Sequence, residues 1–200
     1  MTTPIPAPAA DAALYAHIRV MVSIILGLAV ARLLSGLARF AQHPGRLRAW
    51  WVHLGWCGWT LLSTTAFWWW EFRLAYVPQW SFGAYLIVLA YAAAYFALAA
   101  MLLPDDIGEY AGFEDYFLSR RRWIFAVIAV VFVLDLLDTG LKGAARFQAL
   151  GPEYVVRFGL YMVLCAVGSL SRDRRVQAGL MVLALGYQAI YIARFYGTLA

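Results

Sequence analysis

Long apolar runs, separated by short polar breaks, form the dominant pattern along this chain. A helix needs about 17–25 mostly apolar residues to cross a hydrocarbon core about 30 Å thick, and six runs meet that requirement. The breaks carry proline, glycine and charged residues, which end helices. We predict membrane-spanning helices over residues 14–40, 50–72, 82–103, 123–141, 154–170 and 176–196. The predicted fold class is all-α, a polytopic membrane bundle of six transmembrane helices.

Two further segments complete the predicted domain organisation. Residues 1–12 are rich in proline and alanine and lack the basic residues of a signal peptide, so we expect a flexible tail before a retained first helix. Residues 13–200 then form a single transmembrane domain. Within it, segment 105–120 alternates acidic and aromatic residues from Glu109 to Leu118. This alternation predicts a short helix lying in the membrane interface.

Composition supports a membrane protein and leaves no room for a soluble domain. Of the 200 residues, 64% are hydrophobic and 14% are charged, whereas soluble domains carry about 25% charged residues. Arginine supplies nearly all of the 16 basic residues, and with abundant alanine and glycine this indicates a GC-rich bacterial genome. The net charge of +5 is explained by basic loops beside the membrane. The predicted partner is therefore the lipid bilayer and not nucleic acid.

The arginines predict an orientation, because cytoplasmic loops carry an excess of Lys and Arg. The connections after the first, third and fifth predicted helices share nine arginines, namely Arg39, Arg46, Arg48, Arg120, Arg121, Arg122, Arg172, Arg174 and Arg175. The opposite side has Arg73, Lys142 and Arg146. We therefore predict a multi-pass protein of the bacterial inner membrane with both termini in the periplasm.

The two halves of the chain share a short pattern. Residues 89–97 and 185–193 both read L-[AG]-Y-x-A-x-Y-x-A. Each half would hold three helices, so a duplication would place the second half inverted relative to the first, as in many transporters. The alternative is chance similarity between strings rich in Ala, Leu and Tyr.

Charged side chains inside the apolar runs are the candidate functional residues. A charge at the centre of a span costs about 2.5–3.5 kcal/mol on insertion scales, and such residues mark substrate and ion pathways. Asp135 and Asp138, three residues apart, share one face of the fourth predicted helix. Tyrosine pairs near the middle of the third and sixth helices add hydroxyls that need partners. The predicted substrate or ion path consists of Arg32, Asp135, Asp138, Tyr91, Tyr95, Tyr187, Tyr191, Gln188, His53 and Arg157.

Structural explanations stand beside this prediction. Arg32 and the two aspartates are equally suited to pair inside the bundle, and the tyrosines to form satisfied core positions. Four residues at helix ends are predicted to extend to the interface, namely Arg19, Glu71, Arg73 and Arg194. Cys57 and Cys165 are predicted to be buried small hydrophobes. The sequence contains no recognisable catalytic constellation, metal-ligand cluster or cofactor motif.

Small residues recur every four positions along the first predicted helix, at Ser23, Gly27, Ala31 and Ser35. Such a face lets another helix backbone approach closely. It predicts close packing within the bundle, against a second copy, or against a partner membrane protein.

One stretch resembles an enzyme motif. Residues 135–140, D-L-L-D-T-G, followed by Ala145-Arg146, resemble a stretched start of the D-x-x-D-G-x-x-A-R motif of the CDP-alcohol phosphotransferases. The resemblance implies a six-helix membrane enzyme that binds a divalent metal through acidic residues. The chain departs from the motif because the glycine and the Ala-Arg pair are displaced and the downstream acidic half is absent.

The sequence therefore favours a small bacterial transporter or channel for an ion or small polar solute, with its path near Arg32 and Asp135/Asp138. The second hypothesis is a non-catalytic membrane subunit or scaffold that docks a partner through small-residue helix faces. The third and least favoured is an intramembrane enzyme that modifies lipid. Transport predicts charged residues around a hydrated cavity, whereas a scaffold predicts fully paired charges in a dry core.

Overall fold

The computed structural model describes residues 7–43, 48–71, 74 and 80–195. These residues form helices and no strands, which confirms the all-α prediction. The helices are α1 (Ala7–Gln42), α2 (Trp51–Trp70), α3 (Phe82–Leu102), α4 (Phe113–Leu141), α5 (Ala144–Leu170) and α6 (Arg174–Phe195). Arg46 and Arg73 lie outside the described residues, as does the side chain of Arg146.

Five of the six helices are long and apolar enough to span a membrane: α1, α3, α4, α5 and α6. This is compatible with an integral, multi-pass membrane protein. The predicted count of six spans is not confirmed, because α2 does not reach the same apolarity. Its 20 residues suffice in length, since an α-helix rises 1.5 Å per residue. Its tryptophans, threonines and histidine lower its apolar character.

The packing of the helices explains why α2 tolerates polar residues. Helix α1 packs along α3, α3 along α4, α4 along α5 and α2 along α6, and α2 also contacts α1, α3 and α4. Protein therefore covers much of α2. Its His53, Thr60, Ser63 and Thr64 are buried among neighbouring helices.

One end of the bundle, which we term the basic end, carries the connections α1–α2, α3–α4 and α5–α6. Contacts between these segments place them together, since Arg32 pairs with Asp105 and Arg174 pairs with Glu114. The described arginines at or beside these connections are Arg39, Arg48, Arg120, Arg121, Arg122, Arg172, Arg174 and Arg175.

The other end, termed the opposite end, carries the connections α2–α3 and α4–α5. Glu71, directly after α2, lies beside Lys142, directly after α4. Glu153 near the start of the main segment of α5 pairs with Arg194 in the last turn of α6. The candidate site described below lies towards this end.

Three helix starts differ from the sequence prediction. Helix α1 begins at Ala7, inside the predicted tail of residues 1–12, because alanine has the highest helix propensity and a proline is tolerated in the first turn. Helix α5 begins at Ala144 and bends at Gly151, whose φ of +67° suits a residue without a Cβ. Pro152 then starts the main segment of this helix.

The third difference concerns the predicted interfacial segment 105–120. From Phe113 onward this segment is the first part of α4 and not a separate helix. Phe113 stacks on the His53 ring at a centroid distance of 4.7 Å, and Phe117 packs edge-on against Trp50 at 5.6 Å. Phe113 and Phe117, which the sequence predicts to face the membrane interface, therefore form part of the core near the basic end.

The structure does not confirm the internal repeat. Helix α1 packs along α3, and the corresponding pair in the second half would be α4 and α6. Over the described ranges α4 and α6 make no such contact. The two halves thus pack their helices differently.

Candidate functional site

A polar cavity between helices α2 to α6 is the strongest candidate site. Its volume, measured as the space open to the centre of a water-sized sphere, is about 50 Å³. A water molecule needs about 10–15 Å³ by this measure, so the cavity has room for a few waters or a small ion. The polar side chains that line it are Ser63, Tyr91, Tyr95, Asp135, Asp138, Thr139, Lys142, Tyr154, Arg157, Gln188 and Tyr191.

Two tyrosine hydroxyls hold the carboxylate of Asp135. Tyr91 donates to Oδ1 at 3.0 Å, and the Tyr154 hydroxyl lies 3.0 Å from Oδ2. The same Tyr154 oxygen lies 3.0 Å from Oγ1 of Thr139. A hydroxyl both donates and accepts, so Tyr154 can donate to the carboxylate while it accepts from Thr139. Asp135 is thus fixed by side chains from α3 and α5.

Arg157 is held more loosely than a buried arginine paired through short hydrogen bonds. Its Nη1 lies 3.9 Å from Oδ2 of Asp135, and its side chain is 13% exposed. The guanidinium lies 4.5 Å from the ring centroid of Tyr191 and 5.3 Å from that of Phe132, which is cation–π geometry. Among the described residues, its buried Nε has no hydrogen-bond partner. The guanidinium therefore keeps one donor that no described protein group satisfies.

A second charged cluster adjoins the cavity at the opposite end. Nζ of Lys142 lies 2.6 Å from Oδ2 of Asp138 and 3.6 Å from Oε1 of Glu71. The three side chains are between 5% and 9% exposed. The prediction that Glu71 extends to the interface is wrong, because the start of α1 and the end of α4 cover it. Tyr15, for example, donates to the Glu71 carbonyl oxygen at 3.4 Å.

The cavity brings together seven of the ten residues predicted for the path: Tyr91, Tyr95, Asp135, Asp138, Arg157, Gln188 and Tyr191. Tyr187 lies beside it, with its ring stacked on Tyr191 at a centroid distance of 6.2 Å. Arg32 and His53 lie near the basic end instead.

Arg32 connects α1 to the α3–α4 connection. Its Nη1 donates to Oδ1 of Asp105 at 2.7 Å. Arg39, two turns further along α1, donates to the carbonyl oxygens of Pro104 and Asp105 at 3.0 and 3.2 Å. The hydrogen bond from Arg32 lowers the pKa of the exposed Asp105 carboxyl. These contacts hold the loop against α1 and are remote from the cavity.

His53 is fully buried and connects α2 to the end of α3. Its Nε2 lies 2.7 Å from the Leu102 carbonyl oxygen and 3.7 Å from Sγ of Cys57. A carbonyl only accepts, so Nε2 carries the proton. This geometry gives His53 a packing role at the basic end.

Of the predicted small-residue face of α1, Ser23 is half-buried and accepts a hydrogen bond from Nε1 of Trp68 at 3.4 Å, and the rest points away from the bundle. Gly27, Ala31 and Ser35 are exposed, whereas α1 buries Leu26 and Leu33 against its neighbours. A Cβ placed at Gly27 would meet no atom within 4 Å. Gly27, Ala31 and Ser35 therefore do not pack closely within the bundle, and a second copy or another protein remains the predicted partner for these three positions.

Several residues of the cavity were missed by sequence reasoning. Lys142 follows Asp138 by four positions, a spacing that places both on one helix face and could have revealed the pair. Tyr154, Thr139 and Ser63 carry no comparable signal, because hydroxyl residues are common in apolar helices and only packing decides which ones meet.

Over the part of the chain that the structure describes, no three His, Cys, Asp or Glu side chains group as a metal site. The acidic stretch that resembles the CDP-alcohol phosphotransferases instead contributes Asp135 and Asp138 to hydrogen bonds with tyrosine and lysine. Comparison of the chain with protein-family models, with curated proteins and with solved structures finds no match in any of the three.

Proposed function

We propose that the protein is a small transporter or channel of the bacterial inner membrane. It moves an ion or a small polar solute through the cavity around Asp135 and Asp138. The observation that carries this proposal is the convergence of charged and hydroxyl side chains from five helices on one cavity. Charges inside a membrane bundle are costly and are found where a pathway or a proton relay needs them.

Unpaired polar atoms in the cavity support a guest. Oγ of Ser63, Nε of Arg157 and Oε1 of Gln188 are buried and have no hydrogen-bond partner among the residues that the structure describes. A buried donor or acceptor left without a partner costs about 1–3 kcal/mol. Small movements of these side chains would bring the atoms to the cavity they line, where water or a small ion would satisfy them, so the site favours small hydrated guests over large organic ones.

The path towards the basic end is closed in this conformation. A layer of aromatic side chains lies between the cavity and that end, namely Trp56, Trp59, Phe125, Phe132 and Tyr161, each at most 3% exposed. Tyr161 is tied to α6 by a hydrogen bond to the Ala184 carbonyl oxygen at 3.1 Å and receives one from Trp59 at 3.1 Å. The proposed transport would require this layer to open before a guest could pass to the basic end.

Flux measurements on the reconstituted protein test the proposal. We expect proteoliposomes with the wild-type chain to conduct at least one member of a panel of ions and small solutes. Asp135→Asn should reduce that flux to the level of empty vesicles, because it removes the charge that Tyr91, Tyr154 and Arg157 hold in place. Asp106→Asn, the same change at an exposed loop position, should leave it unchanged. Background flux across the whole panel would sink the proposal.

A non-catalytic subunit or scaffold is the second candidate function. The exposed face of Gly27, Ala31 and Ser35 favours it, because small residues let a helix of another protein pack closely. In that case the charges around the cavity serve to hold the bundle together. The absence of flux in the reconstitution experiment would favour this function.

A further inference from the structure

Two carboxylates share one ammonium group at the opposite end. Lys142 lies between Asp138 on its own helix and Glu71 at the end of α2. The arrangement is asymmetric, since Nζ is 2.6 Å from Asp138 but 3.6 Å from Glu71. The lysine therefore forms a short hydrogen-bonded ion pair with Asp138 and a longer ion pair with Glu71.

Glu71 has an unusual environment for an ionised carboxylate. Its side chain is 7% exposed, and neither Oε1 nor Oε2 has a hydrogen-bond partner among the described residues. The nearby hydroxyl of Tyr15 donates to the backbone carbonyl of Glu71 and not to its carboxylate. A buried carboxylate without donors is strongly disfavoured, whereas the neutral acid is much less so.

Among the described residues, the charges that face Glu71 come from two elements. From the end of α4, Lys142 attracts a negative charge, while Asp138 and Asp135 repel it. From α1, Arg19 lines a small cavity of about 10 Å³ together with Glu71. Addition of a proton to Glu71 removes its repulsion by the two aspartates. Lys142 then keeps its ion pair with Asp138 alone.

We propose that Glu71 is a reversible proton-binding site and that the proton it exchanges is the ion carried, or the coupling ion, in this protein. The transport part of this inference rests on the proposed function, whereas proton binding does not. When Glu71 releases its proton to water at the opposite end, its carboxylate attracts Lys142 away from Asp138. When Glu71 takes up a proton again, Lys142 returns to the Asp138 carboxylate.

This exchange reaches the cavity through the lysine. Lys142 and Asp138 both line the cavity, and Asp138 follows Asp135 by three positions on the same face of α4. Movement of the lysine therefore changes the electrostatic field at the Asp135–Arg157 pair. A proton at the opposite end and a guest in the cavity are thereby coupled.

Infrared difference spectroscopy of the full chain in vesicles tests proton binding directly. We expect a carbonyl stretch of a protonated carboxylic acid that disappears as the pH is raised. Glu71→Gln should lack this change, and Glu71→Asp should keep it with a shifted midpoint. Glu153→Gln, which alters a partly exposed glutamate at the same end, should keep the wild-type band. A titrating band that persists unchanged in Glu71→Gln, or no titrating band in the wild type, would overturn the inference.

A pH-sensitive dye inside the same vesicles separates the two parts of the inference. Proton flux that is present in the wild type and lost in Glu71→Gln supports both parts. Titration of Glu71 without flux of any ion or solute retains the binding site and overturns the proposed function. Flux of a solute or an ion with no titration at Glu71 retains the proposed function and overturns the proton site.

Discussion

Tyrosine hydroxyls, more than opposite charges, determine how the central carboxylate is held. Asp135 has hydroxyl oxygens of Tyr91 and Tyr154 at 3.0 Å, while the nearest arginine nitrogen is 3.9 Å away. The guanidinium of Arg157 rests on aromatic ring faces instead. The two side chains are therefore held without a short ion pair between them, which leaves room for a guest.

Loss of the Tyr154 hydroxyl should destabilise the bundle. Tyr154→Phe removes the contacts to Asp135 and Thr139, and interhelical hydrogen bonds in membranes contribute about 0.6 and at most about 1.7 kcal/mol each. We expect the free energy of unfolding in detergent to fall by about 1–2 kcal/mol. Tyr187→Phe, whose hydroxyl makes no hydrogen bond within the described residues, should have little effect. Equal losses in the two variants would refute this assignment.

The sequence identified the charged part of this site but not its hydroxyl part. Asp135, Asp138 and Arg157 stand out because a charge in an apolar run is costly and conspicuous. Tyr154 and Thr139 do not stand out, because their role depends on which helix packs against α4. Glu71 was misinterpreted for the same reason, since its position at a helix end is compatible with both exposure and burial.

At the level of helices, α2 is distinguished by the number of neighbours that enclose it, namely α1, α3, α4 and α6. Its polar residues are covered by protein, so its lower apolarity does not conflict with a membrane environment. The apolar runs predicted all six helices, because helix length and hydropathy are local properties. The starts of α4 and α5 were misplaced, because the aromatic core near Phe113 and the kink at Gly151 depend on tertiary contacts.

Close contact between α4 and α5 depends on a glycine. A Cβ at Gly168 would lie 2.4–2.6 Å from three ring atoms of Phe125, and the ring is fully buried. We expect Gly168→Ala to lower the free energy of unfolding by about 1–3 kcal/mol, the range for an overpacked core. Gly159→Ala, on the same helix, meets no atom within 4 Å and should be neutral or slightly stabilising. Thermal unfolding in detergent distinguishes them, and a harmless Gly168→Ala would contradict the packing described here.

At the scale of the whole molecule, the two ends of the bundle differ in structure. At the basic end, Arg32 and Arg39 fasten the α3–α4 connection to α1. At the opposite end, the cavity and the Glu71–Lys142–Asp138 cluster lie beside the ends of α2 and α4. Sequence reasoning grouped Arg32 with Asp135 because both lie within apolar runs. Hydropathy alone does not show that the long arginine side chain extends to the basic end, where it meets Asp105.

Access of water to the cavity is the central requirement of the proposed function, and cysteine labelling measures it. Cys57 and Cys165 are both buried, and their replacement gives a background in which Ser63→Cys is the only thiol. Oγ of Ser63 is buried in this conformation, so a charged, membrane-impermeant thiol reagent reaches Ser63→Cys only when the cavity opens. We expect slow labelling from the opposite end and none from the basic end, because a reactive thiolate forms only where water reaches it.

Val155→Cys serves as the control in the same background, because Val155 lies on the outer surface of α5 and is 53% exposed there. Within a bilayer this position faces lipid, so we expect it to remain unlabelled. The account predicts one-sided labelling of Ser63→Cys and none of Val155→Cys. No labelling of Ser63→Cys from either side, or equal labelling from both, would contradict it.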